Sequence, residues 1–540
     1  MTDTPRIADI LARMLGAAGC RHAFGLPGGE VLTVIDALNA AGVAFTLARH
    51  ETPAGFMAEG AHHMTGAPGV LVTTIGPGLA NAVDAVANAF QDRVPLVVIS
   101  GGVDAAEAAT YTHQVIDHVA LLRPITKGAF HVAVPGAAPA LFAKALTLAM
   151  APPYGPVLID IPGSVAAAPA PALPWPRPAR LAPAAPAPGP ALEEARGWLA
   201  AAKRPLLLAG VDALNDGAGA VLGELATRHS IPVLSTYKAK GLLDEGSALA
   251  LGGAGLSPLS DGALLPVVRQ ADCVILAGYD PVEMRVGWRD PFAPGARVIS
   301  IGSAPPTHGM HGADLDMIAD VGAGLSALFA GHEGRAGWDL PALAALRAAM
   351  RRAHGAALDW GPAAIADEAR RALPADIVAT VDSGAHRIVL SQVWDCPAPR
   401  TLLQSSGFCT MGPALPLALG AMAARPGQRA VCFIGDGGLE MVLGELATAR
   451  DLGLPVILVV FVDASYALIE LKQAAMQLPR AGVRFRGTDH VRLAEAMGGQ
   501  GLLATSRAEL AAALRAGLAE TERFTLIACP IDAEDYRGRL

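Results

Sequence analysis

The chain has 540 residues, of which 52% are hydrophobic, 17% charged and only 5% aromatic, and its formal net charge is −8. That length exceeds one compact domain and predicts about three, while basic residues dispersed through an acidic chain leave no electrostatic footprint for nucleic acid and point to small-molecule partners. Mean hydropathy is positive, yet the apolar runs, such as Val456 to Val462, are strand-sized and bounded by Gly, Pro or Asp, so no membrane span is predicted. Cys20, Cys273, Cys396, Cys409, Cys432 and Cys529 lack the paired spacing of a zinc site or a disulfide framework.

In chain order, "MTDTPRIADILARMLGAAGC" carries Asp3 and Asp9 and reads as an amphipathic helix rather than a signal peptide, which predicts a cytoplasmic protein. Residues 1–165 form the first expected domain, with strands in "GVLVTTIGPG", "VPLVVISG" and "PVLIDIP". Residues 166–190 are so rich in Pro and Ala that they read as a stiff, extended linker. Residues 191–335 follow, with strands in "PLLLAGVDA", "DCVILAGYD" and "RVISIGS"; residues 336–360 carry a linker helix around "ALAALRAAMRRAHG". The third domain, 361–540, has strands in "DIVATVDSG", "RAVCFIGDGG" and "PVILVVFVDAS". Strands apolar on both faces and alternating with Ala-rich helices predict an α/β protein of three doubly wound parallel-sheet domains. Ligands gather at the carboxyl ends of such strands, so the chemistry is sought in the residues that follow them.

The stretch "FIGDGGLEMVLGELATARDLGLPVILVVFVDAS", Phe433 to Ser465, holds the clearest signal. A carboxylate leaving a buried strand between glycines and entering a helix suits a divalent metal bridged to phosphate: Gly437, Gly438 and the helix start offer N–H groups, and Asp436 offers an oxygen. Residues 438–461 suffice for a helix and a strand that return to the same sheet edge, which lands Asp463 beside Asp436. Taken alone, the stretch also reads as two ordinary turn aspartates.

This spacing resembles the motif of thiamine-diphosphate-dependent enzymes, and other segments carry the resemblance through all three domains. In the third domain it implies Mg²⁺ held by Asp436, Asp463 and the carbonyl of Ser465, with Gly435 in the same turn. Val462-Asp463 stands where the family has Asn-Asn, so a neutral ligand becomes an anion. "VDSGAH" implies that Gly384 and His386 contact the diphosphate. "SSGFCTMGPALPLALGA" implies that the Cys409 carbonyl and Met411 N–H pair with the pyrimidine, with Met411 between the two rings; a buried Met is also ordinary core. In the first domain "RHETPAGFMAEG" matches the segment around the glutamate that hydrogen-bonds the aminopyrimidine, here Glu51, a group this chemistry needs for proton transfer. "FGLPGGEVL", with Pro27 and Gly28, and "GPGLAN", with Gly76 and Asn81, match the family's cofactor loops. The implied architecture is a pyrimidine-binding domain, a Rossmann-like middle domain and a diphosphate-binding domain. Active sites would lie at the subunit interface of a homodimer or homotetramer, where Glu51 meets Asp436.

Within the family the chain is most similar to the acetolactate synthase-like group, which implies decarboxylation of a 2-oxo acid and ligation of the remaining fragment to a second carbonyl. The alternative is a non-ligating decarboxylase, or a C–C lyase or hydrolase on the same cofactor; Glu51 argues against glyoxylate carboligase, which lacks this glutamate. Two positions are set for substrate: Ile469, six after Asp463 and apolar as in the synthases, and Lys472, nine after, where they have Trp. Lys472 either meets an anionic group of the substrate, points to solvent, or pairs with Glu470 or Asp463. "YTHQVIDHVALLRPITK" brings His113 and Gln114 to the loop that contacts substrate in relatives, with His113 as acid/base or loop cap. FAD, carried by some synthases, stays unassigned because "GGAGLSP" and "AGYDP" form no specific FAD motif.

Overall fold

Among the described residues, eighteen strands fall into three six-stranded sheets, and every pairing between named strands is parallel. The computed structural model describes residues 4–540 except Leu173 and Arg180, and not the side chain of Val286; Asp3 of the predicted first helix lies outside the described residues, and that helix runs Ile7–Ala17. The first sheet holds His22–Gly25 (β1), Ala44–Leu47 (β2), Gly69–Thr73 (β3), Leu96–Gly102 (β4), Gly128–His131 (β5) and Val157–Pro162 (β6), in the order β2-β1-β3-β4-β6-β5. The second holds Pro205–Ala209 (β7), Val233–Thr236 (β8), Ala250–Ala254 (β9), Cys273–Ala277 (β10), Arg297–Gly302 (β11) and Leu315–Ile318 (β12), in the order β12-β11-β10-β7-β8-β9. The third holds Val378–Val381 (β13), Leu402–Gln404 (β14), Ala430–Gly435 (β15), Ile457–Val462 (β16), Gln500–Leu503 (β17) and Thr525–Pro530 (β18), in the order β14-β13-β15-β16-β18-β17.

The first and third sheets thus share one topology although no sequence repeat links them. Central strands such as β3, β6 and β16 are buried nearly throughout, because helices cover both faces of each sheet. Between the first two sheets, after a short helix at Gly163–Ala167, none of the described residues belongs to a named helix or strand until the helix Pro190–Ala201, consistent with seven prolines between Pro171 and Pro188. The helix expected between the second and third sheets runs Leu340–Ala353.

Helices Glu51–Thr65 and Ala414–Ala424 pack against each other, so that one apolar core runs continuously from the first sheet to the third. No helix among the described residues is long and apolar enough to cross a membrane.

Candidate active site

In a doubly wound sheet the crevice opens where consecutive strands depart to opposite sides. In the third sheet that point lies between β13, flanked by β14, and β15, flanked by β16. The loop after β13 therefore delivers Gly384 and His386 next to the turn after β15 that holds Gly435, Asp436, Gly437 and Gly438. Gly435 pairs with Phe461, so β16 ends beside β15 and carries Asp463 to the same place. A cavity of about 410 Å³ opens here, and all of these residues line it together with Cys409, Met411, Ser465 and Ile469.

Backbone donors hold the two aspartates. Asp436 accepts the Gly437 N–H through Oδ1 and the Ala464 N–H through Oδ2, both at 2.8 Å, and Asp463 Oδ1 accepts the Ser465 N–H at 3.0 Å. Burial raises the Asp463 carboxyl to about 7, with the nearby Asp436 adding to the rise, and burial raises Asp436 as well. Two carboxylates that oppose each other's ionisation form an arrangement a divalent cation relieves. The turn after Asp463 is itself fixed: Tyr466 and Phe485 donate to the carbonyls of Val483 and Ala464, and the Ser465 hydroxyl donates to Glu470. Glu470 is also paired with Arg480 and Arg484.

Opposite the aspartates, buried His386 stacks on Phe461 with ring centroids 5.1 Å apart. Burial, reinforced by Arg387, lowers its imidazole to about 3, and its Nε2 is buried without a hydrogen-bond partner in the chain. An anionic ligand oxygen would satisfy that atom. A side chain at Gly438 would fall on Asp382, whose Oδ1 accepts the Gly412 N–H at 2.7 Å, so the bare backbone there is a cradle only glycine leaves open. The paired carboxylates, the glycine turn that lines the cavity and the unpaired His386 nitrogen fit a metal-bound diphosphate.

The first sheet builds a second cluster at its own switch point, between β1 and β3. Glu51 starts the helix Glu51–Thr65, is buried, and accepts a hydrogen bond at Oε2 from Asn81 Nδ2 at 3.0 Å. Gly28 follows β1 and lies against Thr74, and Pro27 beside it is exposed. Gly76 has φ +63°, and a side chain there would strike the Gln114 carbonyl, so the turn needs glycine. His113 and Gln114 lie on the exposed loop over that turn, with His113 edge-on to Tyr111. Neither Glu51 nor these neighbours line the cavity around Asp436. Lys472 does not line it either: it is exposed and makes no ion pair among the described residues, while Glu470 is taken by the two arginines.

Three features of the site were not legible in its motifs. His118 Nε2 accepts the Gly76 N–H at 2.9 Å while its Nδ1 donates to Asp160 at 3.0 Å, which pins the Gly76 turn from behind. Asp382 holds the Met411 segment through the Gly412 N–H and lies against Gly438, and a lone aspartate after a strand gives no sign of that. Arg387 reaches Cys409 from the far side of the cavity wall. At the middle sheet's switch point, between β7 and β10, the Arg93 guanidinium sits between Asp212 and Asp280. Two carboxylates filled by a protein cation do not fit the pyrophosphate of a flavin dinucleotide.

Three family models match the chain: "Thiamine pyrophosphate enzyme, N-terminal TPP binding domain" over residues 5–121, its central domain over 192–328 and its C-terminal TPP binding domain over 382–529. The chain is 31% identical to "Acetolactate synthase" of Bacillus subtilis over 98% of its own length and 94% of that protein. It is 31% identical to "Acetolactate synthase isozyme 1 large subunit" of Escherichia coli, over 86% of this chain and 83% of the relative. It is also 31% identical to "Probable 2-ketoarginine decarboxylase AruI" of Pseudomonas aeruginosa, over 95% and 91%. The chain belongs to the thiamine pyrophosphate enzyme family and is acetolactate synthase-like along nearly its whole length.

Proposed function

We propose that the protein decarboxylates a 2-oxo acid, using thiamine diphosphate and Mg²⁺, and ligates the remaining fragment to a second carbonyl. The observation that supports this reading best is the cavity in which Asp436, Asp463, the Gly437-Gly438 turn and the unpaired His386 converge. When bound, the cofactor supplies the carbon nucleophile and the electron sink for loss of CO₂. Asp436, Asp463 and the Ser465 carbonyl hold the metal. The N–H groups of Gly437 and Gly438, with His386, take diphosphate oxygens, and Gly384 and Gly435 leave room for them. The Cys409 carbonyl and Met411 N–H would orient the pyrimidine, and the Met411 side chain would pack against the cofactor. Glu51, oriented by Asn81, moves the proton at the pyrimidine nitrogen; Pro27, Gly28 and Gly76 allow backbone to approach the ring.

Because Glu51 lies outside the cavity of its own chain, the reading calls for a second copy: the working unit is a homodimer or homotetramer with Glu51 of one subunit facing Asp436 of the other. The exposed apolar side chains of Ile469, which lines the cavity, and of Phe408 and Met441, next in sequence to Cys409 and to the helix Asp436–Glu440, suit such a contact. His113, Gln114, Ile469 and Lys472 are the proposed substrate contacts. The second reading, a decarboxylase that does not ligate, draws on the likeness to the 2-ketoarginine decarboxylase and on Lys472, an exposed cation where synthases carry Trp.

Protein dialysed against EDTA is expected to release CO₂ from pyruvate only when Mg²⁺ and thiamine diphosphate are both restored; release without either would refute the reading. In the same assay Asp463→Asn keeps or improves cofactor affinity, since it removes one of two mutually repelling carboxylates beside a diphosphate. Asp463→Ala raises the Mg²⁺ needed for half-activity by roughly tenfold or more, a scale that even residues supporting a ligand reach. An Asp463→Ala protein with the parent's metal requirement would remove Asp463 from the ligand set.

A further inference from the structure

Arg387 is one of the largest fully buried side chains in the molecule, and it immediately follows His386. Besides lying over the Tyr237 ring, its guanidinium makes three polar contacts among the described residues. One is an ion pair with Glu283, on the middle-domain loop after β10, where the two side chains are 1% and 4% exposed. The second is a hydrogen bond from Nε to Gln404 Oε1 at 2.8 Å, and the third runs from a terminal nitrogen to the Cys409 sulfur at 3.2 Å. Gln404 in turn donates to the Tyr237 carbonyl of the middle domain.

Cys409 is the sensitive end of this chain. It has φ +57°, a left-handed conformation that is strained for a residue with a Cβ. It is the exposed one of the six cysteines and lines the cavity. The backbone on either side is tied down independently: Gly407 N–H donates to Asp92 Oδ1 at 2.6 Å before it, and after it Thr410 N–H donates to Ser405 Oγ at 3.1 Å and Gly412 N–H to Asp382 at 2.7 Å. What holds the Cys409 side chain is Arg387, with the Ser383 hydroxyl at 3.4 Å.

We infer that Glu283 and Arg387 are positioning residues: a buried strut from the middle domain that keeps Cys409 in its left-handed turn, and so sets the Cys409 carbonyl and Met411 N–H at the spacing a pyrimidine ring requires. The inference rests on the reading that this cavity takes thiamine diphosphate. It gives the middle domain a direct mechanical part in cofactor binding, and it accounts for a cysteine at a position whose backbone favours glycine.

The test uses Glu283→Gln together with Arg387→Gln, which removes both charges and strands neither in the core. Calorimetric titration of the full-length apo-protein with thiamine diphosphate in excess Mg²⁺ should show Kd weakened about tenfold. Hydrogen exchange at the amides of 409–412 should speed up in the same apo-protein, with amides of β13 and β15 unchanged. Adding Cys409→Gly, which removes the left-handed penalty, should restore most of the lost affinity. A folded double variant with the parent's Kd and exchange rates would overturn the inference, as would failure of Cys409→Gly to restore binding, since general loosening would not be rescued at that residue. Should the double variant not fold, Glu283→Gln alone is read by the same exchange measurement. If the parent itself does not bind thiamine diphosphate, the reading of the cavity fails, whereas exchange at 409–412 still decides whether the strut exists.

Discussion

Glu51→Gln is expected to lower kcat by about 100- to 10,000-fold, the range that loss of a positioned acid/base group produces, while cofactor affinity changes little. The carboxylate is buried at a helix start and held by Asn81, and glutamine keeps its shape but cannot exchange a proton with the pyrimidine nitrogen. On the proposed reading the hold on the cofactor comes from the other cluster, at Asp436 and Asp463, so binding and activation should separate in this variant. Proton exchange at the reactive thiazolium carbon of the bound cofactor is the measurement. Exchange at the parent's rate would show that Glu51 does not activate it.

The second large effect is on stability. Lys238 Nζ is buried where all three sheets meet: it contacts Asp92 at 2.8 Å and Glu59 at 3.2 Å from the first domain and donates to the Gln404 carbonyl at the end of β14. Burial opposes its charge, but Asp92 and Glu59 outweigh that and hold the ammonium above the usual lysine range. Asp92 also accepts the N–H groups of Ser406 and Gly407, so the network anchors the start of the Cys409 segment. His63, beside Glu59, offers no replacement cation, because burial, with Lys238 next, lowers its imidazole well below the ordinary value. Lys238→Met strands two carboxylates in the interior and should cost about 3–5 kcal/mol. Asp92→Asn combined with Lys238→Met should recover part of it. Denaturant unfolding checks both, and a Lys238→Met protein as stable as the parent would mean that the junction carries no such load.

How much of this was legible follows from where each signal sits. Asp436 and Asp463 were readable because β15 and β16 are interior parallel strands, whose unbroken Val, Ile and Phe runs announce them and fix where they end. The nine strands read from such runs include none of the six edge strands β2, β5, β9, β12, β14 and β17. These have three to five residues, and β2, with residues exposed at both ends, has no apolar run to read. The single helix expected after Asp436 is two, Asp436–Glu440 and Glu445–Asp451; Gly444 lies at the break, where helix propensity is low. Glu51 was readable through its local motif. Lys238 was not, since its partners lie 146 and 179 positions away, and no local pattern encodes a contact between domains. Ile469 lines the cavity as its spacing suggested, whereas Lys472, one turn on, is exposed and outside it; spacing places residues on a helix face but does not say how far the cavity reaches along it.

The proposal that the fragment left after CO₂ loss is ligated rather than protonated is tested most directly by stoichiometry. Enzyme supplied with Mg²⁺, thiamine diphosphate and pyruvate alone should consume two pyruvates for each CO₂ released, with a branched hydroxy-oxo acid as product. One pyruvate per CO₂, with acetaldehyde accumulating, would contradict carboligation and assign the protein to the decarboxylases that use the same cofactor.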